Sequence, residues 1–405
     1  MKNDAPARFS TINPFPCCWV LIVLSAALSF SRTELAAATL GWTTNQVSTN
    51  AFGLDRVVFG NGRFVASGGF SDFGALMSSE DGLNWVLRAG GSNGVPPDLI
   101  YGLTYSEGRF MAVGHFGGIG VSLDGTTWAF SSVPIESLLG ATYGGLFVAV
   151  GSRYYNPTGS NVFWSANGTT WNPSASTPSI TLRGVAHGAG KYVAIGNNDG
   201  FVYRMASLNS WTQGTIPGGA EIFFYNNVFI VPFTAGTNLL STDGLAWVPT
   251  PTGIPDFTQG LGVGGNGVCV ARINNGMAVS RDGSNWVRFA TGPLPGNAFG
   301  WNGKRIVTLR SEDVGPLLPP RLNAYVFTSD PFAGFLSLKR TQPAQLDLYG
   351  FAGGSYRLEF TESLSSDPGA WQTISNFVLP ATPYTIAEPS AANASKRFYR
   401  AVLLP

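Results

Sequence analysis

Short apolar segments separated by glycine-bearing turns occupy most of this chain. The strongest of them, such as GRFVASG at residues 62–68 and GRFMAVG at 108–114, each follow a shorter apolar segment, such as VVF at 57–59. Apolar runs of this length, bounded by turn residues, predict β-strands. Seven segments of this kind occur along the chain, the last three of them weaker copies, and we predict that each belongs to a repeated unit of four strands.

A second motif, S-x-[DN]-G-x-x-W, marks one turn in most of these units. It occurs at residues 79–85, 122–128, 165–171, 241–247 and 280–286, and a degraded copy ends at Trp211. The Asp-Gly and Asn-Gly pairs predict a type I′ hairpin turn with positive φ angles, in which the Asp oxygen accepts hydrogen bonds from turn amides. We call these five segments the box turns and predict a structural role for Asp81, Asp124, Asn167, Asp243 and Asp282.

Tryptophan recurs at the same offset in each unit, as expected for a large ring that packs between neighbouring sheets. The register is offset, because Trp42 precedes the first strong segment and the last unit ends near Asp330 without a tryptophan. We therefore expect the N-terminal strand to complete the last unit. Ring closure of this kind leaves few exposed sheet edges. The seven tryptophans are Trp42, Trp85, Trp128, Trp171, Trp211, Trp247 and Trp286.

With these motifs, residues 39–330 resemble the Asp-box (BNR-repeat) propellers shared by sialidases, photosystem II assembly factor propellers and many secreted bacterial proteins. The box here is a shortened form, with one residue fewer between Asp and Trp. The resemblance implies an all-β fold, a seven-bladed β-propeller whose last blade is closed by the N-terminal strand. It also implies that the box turns lie on one face and that ligands bind on the opposite face. We assign residues 39–333 to this domain.

The remaining residues, 334–405, carry alternating strands without box turns. Their G-x-x-Y-x-[IL]-E pattern, the following Trp371 and the R-F-Y-R of residues 397–400 resemble the small C-terminal β-sandwich modules of secreted proteins from Verrucomicrobia-like bacteria. A packing or spacer role and an attachment or sorting role both remain open for this module.

The N-terminus has the order of a secretory signal: Lys2 and Arg8, an apolar stretch at 17–30, then three alanines at 36–38. We assign residues 1–38 to a signal peptide, with cleavage after Ser31 as the alternative to cleavage after Ala38, and expect a periplasmic, cell-surface or extracellular protein. The apolar stretch is shorter than the roughly 20 residues of a spanning helix, so we expect no membrane span in the mature chain. Removal of Cys17 and Cys18 leaves Cys269 alone, as a buried strand residue.

Composition and motifs exclude several chemistries. Lys and Arg total 24 against 23 Asp and Glu, so nothing attracts a nucleic acid backbone. The two histidines, His115 and His187, lack metal-ligand neighbours, and no cofactor-binding motif occurs. We expect a monomer without cofactors or bound metal, and we expect His187 to be a satisfied core or near-core side chain.

Alignment of the units on their strong segments places charged and aromatic residues at the starts of the units and in the loops after the second strands. The loop at 152–159 suits a sugar or a peptide, because aromatic rings cover apolar faces and a guanidinium holds a carboxylate. The same regions also hold Asp55, Asp72, Phe116, Glu312 and Asp313. The candidate ligand-binding residues are Arg56, Tyr101, His115, Arg153, Tyr154, Tyr155, Arg183, Asp199, Glu221 and Arg272.

Three functions remain open, and the sequence favours the first, which is not catalytic. It is an exported binding or scaffold propeller for a glycan or a protein. The second is a diverged glycoside hydrolase of the sialidase-like Asp-box type, with two carboxylates from Asp55, Asp72, Asp199 and Glu221. The sialidase arginine triad cannot be assigned among Arg56, Arg183, Arg272 and Arg310. The third is an assembly factor for another exported protein.

Overall fold

The fold is described from a computed structural model. The described residues are 22–23, 41–48, 52–70, 73–90, 99–152, 159–175, 178–196, 200–207, 210–219, 221–234, 236–254, 257–264, 268–274, 276–280, 282–291, 294–313, 322–329, 335–339, 344–350, 353–362, 370–381, 384–388 and 397–404. The described part of the chain is all β, and none of it forms a helix long and apolar enough to cross a membrane.

Between residues 42 and 329 the strands form seven four-stranded antiparallel sheets. The first three sheets contain β3–β6 (Arg56–Gly60, Arg63–Phe70, Phe73–Ser79, Val86–Gly90), β7–β10 (Ile100–Ser106, Arg109–Gly114, Gly118–Ser122, Ala129–Ser132) and β11–β14 (Ser137–Tyr143, Phe147–Ser152, Val162–Ser165, Asn172–Pro173). The next three contain β15–β18 (Leu182–Gly188, Lys191–Gly196, Phe201–Ser207, Ser210–Thr215), β19–β22 (Phe223–Tyr225, Val228–Thr234, Thr237–Ser241, Val248–Pro251) and β23–β26 (Phe257–Gly264, Val268–Ile273, Gly276–Ser280, Trp286–Thr291).

The seventh sheet joins the two ends of this region. It contains β27–β29 (Ala298–Trp301, Ile306–Asp313, Leu322–Ser329), and its fourth strand is β2 (Trp42–Ser48), which pairs with β29. The first strand of each sheet contacts the first strand of the next, and β27 contacts β3, so the sheets form a closed ring. The N-terminal strand completes the last sheet, as the sequence predicts.

One apolar cluster fills each of the seven interfaces between neighbouring sheets. The strong segments of the sequence are the second strands, and side chains such as Phe64, Phe110 and Val193 are fully buried there. Each interface also holds one of the seven recurrent tryptophans, with Trp42 supplied by β2. The recurrence of tryptophan along the sequence therefore marks the successive interfaces between sheets.

The box turns connect the third and fourth strands of their sheets. In the first, Ser79 Oγ accepts a hydrogen bond from Gly82 N at 2.9 Å and donates to Asp81 Oδ1 at 3.0 Å. Asp81 Oδ1 also accepts from the amides of Leu83 and Asn84, both at 2.8 Å. The same amide bonds recur in the other four turns, at Asp124, Asn167, Asp243 and Asp282.

The prediction of type I′ geometry for the box turns is wrong. Only the glycine has positive φ, for example 77° at Gly82, whereas Asp81 does not. The Leu83 amide, which would close a two-residue hairpin on the Glu80 carbonyl oxygen, donates to Asp81 Oδ1 instead. Pairs of positive-φ residues occur instead in turns between first and second strands, such as Asn61-Gly62 and Glu107-Gly108.

The C-terminal residues form two further sheets around one apolar cluster. One contains β30, β31 and β34 (Phe335–Lys339, Ala344–Tyr349, Tyr384–Glu388); the other contains β32, β33 and β35 (Ser355–Thr361, Gln372–Val378, Phe398–Leu403) and the short β1 (Ile22–Val23). The rest of the predicted signal peptide lies outside the described residues, as do Cys17 and Cys18.

The R-F-Y-R segment holds buried glutamates from both of these sheets. Arg400 Nε lies 2.5 Å from Glu359 Oε2 in β32. Arg397 Nη1 lies 3.1 Å from Glu388 Oε2 in β34, and the Tyr399 hydroxyl donates to the same oxygen at 3.1 Å. The motif therefore has a structural role, because removing one partner of a buried ion pair leaves an uncompensated charge.

Candidate functional site

The two edges of the ring of sheets are formed by different strand ends and carry different residues. Because the strands alternate in direction, the starts of the first strands and the second-to-third turns share one edge, and the box turns lie at the other. We call these the ligand edge and the box edge. Arg56, Tyr101, Arg183 and Glu221 all lie at or next to a first strand's start, so the structure brings four candidate residues to the ligand edge.

Two of these residues lie at breaks in strand pairing. In β7, Ile100 pairs with Gly114 and Gly102 with Val113, so Tyr101 has no partner across the ladder. In β15, Leu182 and Gly184 are paired in the same way around Arg183, and β11 has Leu139 at this position. Such bulges reorient one side chain relative to its strand and are common next to binding sites.

A glycine follows each of these bulges and brings neighbouring first strands close together. A Cβ atom on Gly102 would lie 2.8 Å from the carbonyl oxygen of Leu139, and one on Gly140 would lie 2.9 Å from that of Arg183. The bulged residues are therefore fixed by backbone contact between sheets. The first sheet departs from this pattern, because Arg56 takes the place of the glycine. Arg56 pairs with Ser67 in regular register.

Charges from three sheets act on one another at the ligand edge. Glu221 precedes the first strand of the fifth sheet and is exposed to solvent. Desolvation by the surrounding ring raises its pKa, while the charges of Arg56 and Arg183, from the first and fourth sheets, oppose this shift. We call Asp55, Arg56, Arg183 and Glu221 the mouth.

Asp55 shows the same behaviour as Glu221. Desolvation raises its pKa, and the adjacent Arg56 charge and a hydrogen bond donated by its own backbone amide oppose that shift. The Arg56 side chain itself is exposed and donates from Nη1 to the Asp55 carbonyl oxygen at 3.2 Å. The mouth thus presents two guanidinium groups and two carboxyls of raised pKa, a set that can donate and accept hydrogen bonds and bind ligand charges of either sign.

An aromatic row adjoins the mouth in the second sheet. Tyr101 lies edge-on to His115, with ring centroids 6.3 Å apart, and His115 stacks on Phe116 at 3.9 Å. Burial and the neighbouring Glu136 charge raise the pKa of the Tyr101 hydroxyl, although a hydrogen bond with Ser137 opposes them. The ring of Phe116 is 62% exposed. The structure therefore brings Tyr101 and His115 together and adds Phe116 to them.

The remaining candidate residues differ in their surroundings. Arg272 lies in β24, where its Nη1 donates to Asn297 Oδ1 at 3.0 Å, so it holds the connection that precedes the seventh sheet. Arg310 pairs with Glu312 in β28 at 2.6 Å and lies over two aromatic rings. Five candidates lie outside the described residues: Asp72, Arg153, Tyr154, Tyr155 and Asp199.

His187 lies at the other end of its strand, on the box edge. Its Nδ1 is 2.9 Å from Glu107 Oε1, and its ring packs against Tyr192 and over Gly144. This is the position of Phe59 and Tyr105 in other sheets, so His187 packs there as an aromatic side chain. The buried Cys269 has its pKa raised to about 12 by desolvation. No cluster of three metal-ligating side chains occurs among the described residues.

Sequence reasoning missed two features of the ligand edge. Leu139 and Glu136 were not candidates, because neither belongs to the motifs that define the repeat. A recurrent triplet would have revealed the bulges: a buried Leu or Ile, a variable residue and a glycine, as in Ile100-Tyr101-Gly102 and Leu182-Arg183-Gly184. Glu136 lies in the segment that leads into the third sheet, and only the folded structure places this segment beside Tyr101.

Comparisons with protein-family models and with curated proteins find no match. Among solved structures, that of streptogramin B lyase is similar with a TM-score of 0.53 and 9% identity, over 72% of this chain and 98% of that one. Virginiamycin B lyase from Staphylococcus aureus is similar with a TM-score of 0.51 and 10% identity, over 71% and 99%. YCF48 bound to D1 peptide gives 0.49 and 14%, over 71% and 94%. At these identities the first two show the fold alone: this chain is a β-propeller protein.

Proposed function

We propose that this chain is an exported, non-catalytic binding protein that holds a glycan or a protein segment at the mouth of its propeller. The observation that carries the proposal is that Arg56, Arg183 and Glu221, from three separate sheets, lie at or next to the starts of first strands on one edge of the ring, where the two arginine charges act on the Glu221 carboxyl. These residues lie outside the repeated motifs, and the box turns already satisfy the structural needs of the sheets. Charged groups grouped in this way on a rigid scaffold are typical of a binding site.

The energetics of the mouth also support a binding role. Desolvation that raises the pKa of Asp55 and Glu221 means that their ionised forms are less favourable here than in water. Such groups reduce stability near neutral pH, and a ligand that supplies hydrogen-bond donors or a positive charge would compensate them. The two guanidinium groups nearby would bind a carboxylate or the hydroxyl oxygens of the same ligand.

Two printed arrays would test the proposal with the purified chain, one of neutral and acidic oligosaccharides and one of extended peptides. We expect retention on one of the two arrays, with loss in Arg56→Ala and in Glu221→Gln. Glu80→Gln is the matched control, because Glu80 is an exposed carboxylate on the box edge. Retention that survives both mouth substitutions, or no retention on either array, contradicts the proposal.

A second candidate function is glycoside hydrolysis, and one specific observation favours it. Asp55 and Glu221 both have raised pKa values at the same opening. A general acid needs a raised pKa, and a glycosidase needs two carboxyl groups, about 5 to 9.5 Å apart depending on the stereochemical outcome. The ring would then act on the glycan that it binds.

Fluorogenic glycosides, including a sialoside, separate hydrolysis from binding alone. A hydrolase would release the fluorophore and lose turnover in Asp55→Asn and in Glu221→Gln. Its rate would fall as the pH rises and the acid loses its proton. Release no faster than in buffer, from a chain that is retained on glycans, removes this candidate and leaves the binding proposal standing.

Export is part of the proposal and has its own test. The order of basic, apolar and small residues in segment 1–38 supports it. Expression in a bacterium, followed by mass spectrometry of the N-terminus in the periplasmic and culture fractions, would show a chain that begins after Ala38 or after Ser31. An intact leader on protein from the cytoplasmic fraction alone contradicts export.

A further inference from the structure

Phe116 combines exposure with an unfavourable backbone conformation. It occupies the turn between β8 and β9, in which Gly118 N donates to the His115 carbonyl oxygen at 3.0 Å. The φ angles of Phe116 and Gly117 are 49° and 67°, which make this a type I′ turn. Asn or Gly is favoured at the first central position of such a turn, whereas an aromatic residue with positive φ is an outlier.

The surrounding backbone holds this turn in place. His115 N donates to the Leu99 carbonyl oxygen at 2.8 Å, Phe116 N to that of Glu136 at 2.7 Å, and Val133 N to that of Gly117 at 3.0 Å. These three bonds connect the turn to segments on both sides of the second sheet. Strained residues that are fixed by their surroundings concentrate at binding sites. The turn thus presents the Phe116 ring in a fixed orientation.

The ring of Phe116 is suited to act as a flat platform. Its plane is tilted by only 27° from that of His115, so one face is covered by the imidazole and the solvent-exposed area belongs to the other face and the edge. The rings of Tyr101 and His115 are packed edge to face. Tyr101 lies at the start of β7 and Asp55 directly precedes β3, and these two first strands contact each other, so the platform and the mouth lie on neighbouring sheets of the same edge.

The amount of exposed apolar surface indicates the class of ligand. Among the described residues, the other large exposed apolar side chains lie elsewhere: Val86, Leu87 and Val248 in fourth strands, Leu123 in a box turn and Val378 in the C-terminal sheets. A stable protein interface buries about 1,200 to 2,000 Å² and contains several large apolar groups. A single ring among charged groups matches one sugar unit, whose apolar face stacks on an aromatic ring and whose hydroxyls bond polar side chains.

We propose that Phe116, backed by His115, is a stacking platform for one ring of an oligosaccharide whose neighbouring units bind at the mouth. This inference rests on the proposed binding function and narrows its ligand to a carbohydrate. This role explains why Phe occupies the unfavourable turn position, because Asn would suit the backbone better but would offer no ring.

The test uses the printed oligosaccharide array and the thermal unfolding midpoint of the same proteins. We expect Phe116→Asn to lower retention about tenfold, since stacking contributes roughly that factor. We expect it also to raise the unfolding midpoint by about 2 °C, since Asn suits the turn. Phe116→Tyr keeps a ring and should keep retention. Leu123→Asn, which removes a similarly exposed apolar side chain from the box edge, should leave retention unchanged.

The outcomes separate the platform from the mouth. Retention that is lost in Arg56→Ala but unchanged in Phe116→Asn overturns the platform and leaves the mouth in place. Retention that is lost in Phe116→Asn but unchanged in Arg56→Ala supports the platform and contradicts the proposed function at the mouth. No retention of the wild-type chain on any oligosaccharide overturns the platform, and the peptide array then decides the proposed function.

Discussion

Carboxyl groups at the two edges of the same sheets have pKa values shifted in opposite directions. At the box edge, burial of Asp81 opposes ionisation, but hydrogen bonds from Asn84, Leu83 and Ser79 outweigh it and lower its pKa to about 2. At the ligand edge, desolvation outweighs the neighbouring arginine charges and raises the pKa of Asp55 and Glu221. The box-edge carboxylates are stabilised in their ionised form by amides of their own turns, whereas those of the ligand edge are disfavoured by desolvation.

The difference follows from what each edge has to hold together. A box turn closes its own sheet and packs on the neighbouring one: a Cβ on Gly125 would lie 2.7 Å from Val65 Cγ2 in the first sheet. Its residues recur because every interface has the same need. The ligand edge has no such repeated need beyond the bulge glycines, and so its side chains vary from sheet to sheet.

The largest loss of folding stability is expected from Trp286→Ala. Trp286 is buried between the fifth and sixth sheets, and its Nε1 donates to the Gly283 carbonyl oxygen at 3.0 Å. Loss of a buried ring of this size should lower the free energy of unfolding by about 3 to 5 kcal/mol, measured by denaturant titration. Phe116→Ala on the ligand edge is the matched aromatic control. An equal loss in both variants contradicts the division between the two edges.

A smaller effect is expected from Gly125→Ala in the second box turn. The new methyl group must enter the space of Val65, and φ is +70°, so we expect a loss of about 2 to 4 kcal/mol. Gly62→Ala separates the two causes, because φ there is +75° with nothing within 4 Å of the new Cβ. It should cost only about 1 to 2 kcal/mol. Equal losses would show that the box glycine is required for its backbone alone.

The next effect concerns acid stability and tests the lowered pKa at the box edge. Asp81 has an ordinary value of 3.8 and a folded value of about 2, so it stabilises the fold above pH 3.8 and this contribution is lost as the pH falls through 2. Asp81→Asn should therefore be less stable than the wild type at pH 7, and this difference should shrink steadily as the pH falls from 3.8 through 2. Asn167 shows that an amide fits the same turn. A constant difference across this range would assign the effect to packing.

The smallest expected change in stability is an increase, and it comes from a substitution at the ligand edge. Because the folded pKa of Glu221 is raised above 4.5, ionisation disfavours the folded state at higher pH, and the penalty is absent below that value. Glu221→Gln should slightly raise the unfolding midpoint at pH 7 and leave it unchanged at pH 3.5. Glu80→Gln serves as the exposed carboxyl control. A loss of stability at pH 7 would contradict a desolvated carboxyl.

Much of the fold could be predicted, because its signals are local and repeated. The tryptophan spacing gave the units, and the absence of a tryptophan from the last unit predicted that the N-terminal strand completes it. The turn type was predicted wrongly at the box edge, because the Leu83 amide donates to the Asp81 side chain rather than to a backbone oxygen across the turn, and only Gly82 has positive φ. The candidate list included Arg56, Arg183 and Glu221 from their places in the repeat, but the sequence could not show that they act on one another.

The sequence by itself therefore determined the repeating sheets, the interface tryptophans and the box turns, because each depends on contacts within one unit or with its neighbour. The tertiary structure alone decided which residues share the mouth and that Phe116 stands exposed beside it. The physical reason is ring closure. It brings together side chains from sheets that are not adjacent, and no periodic pattern in the chain encodes which of those side chains will meet.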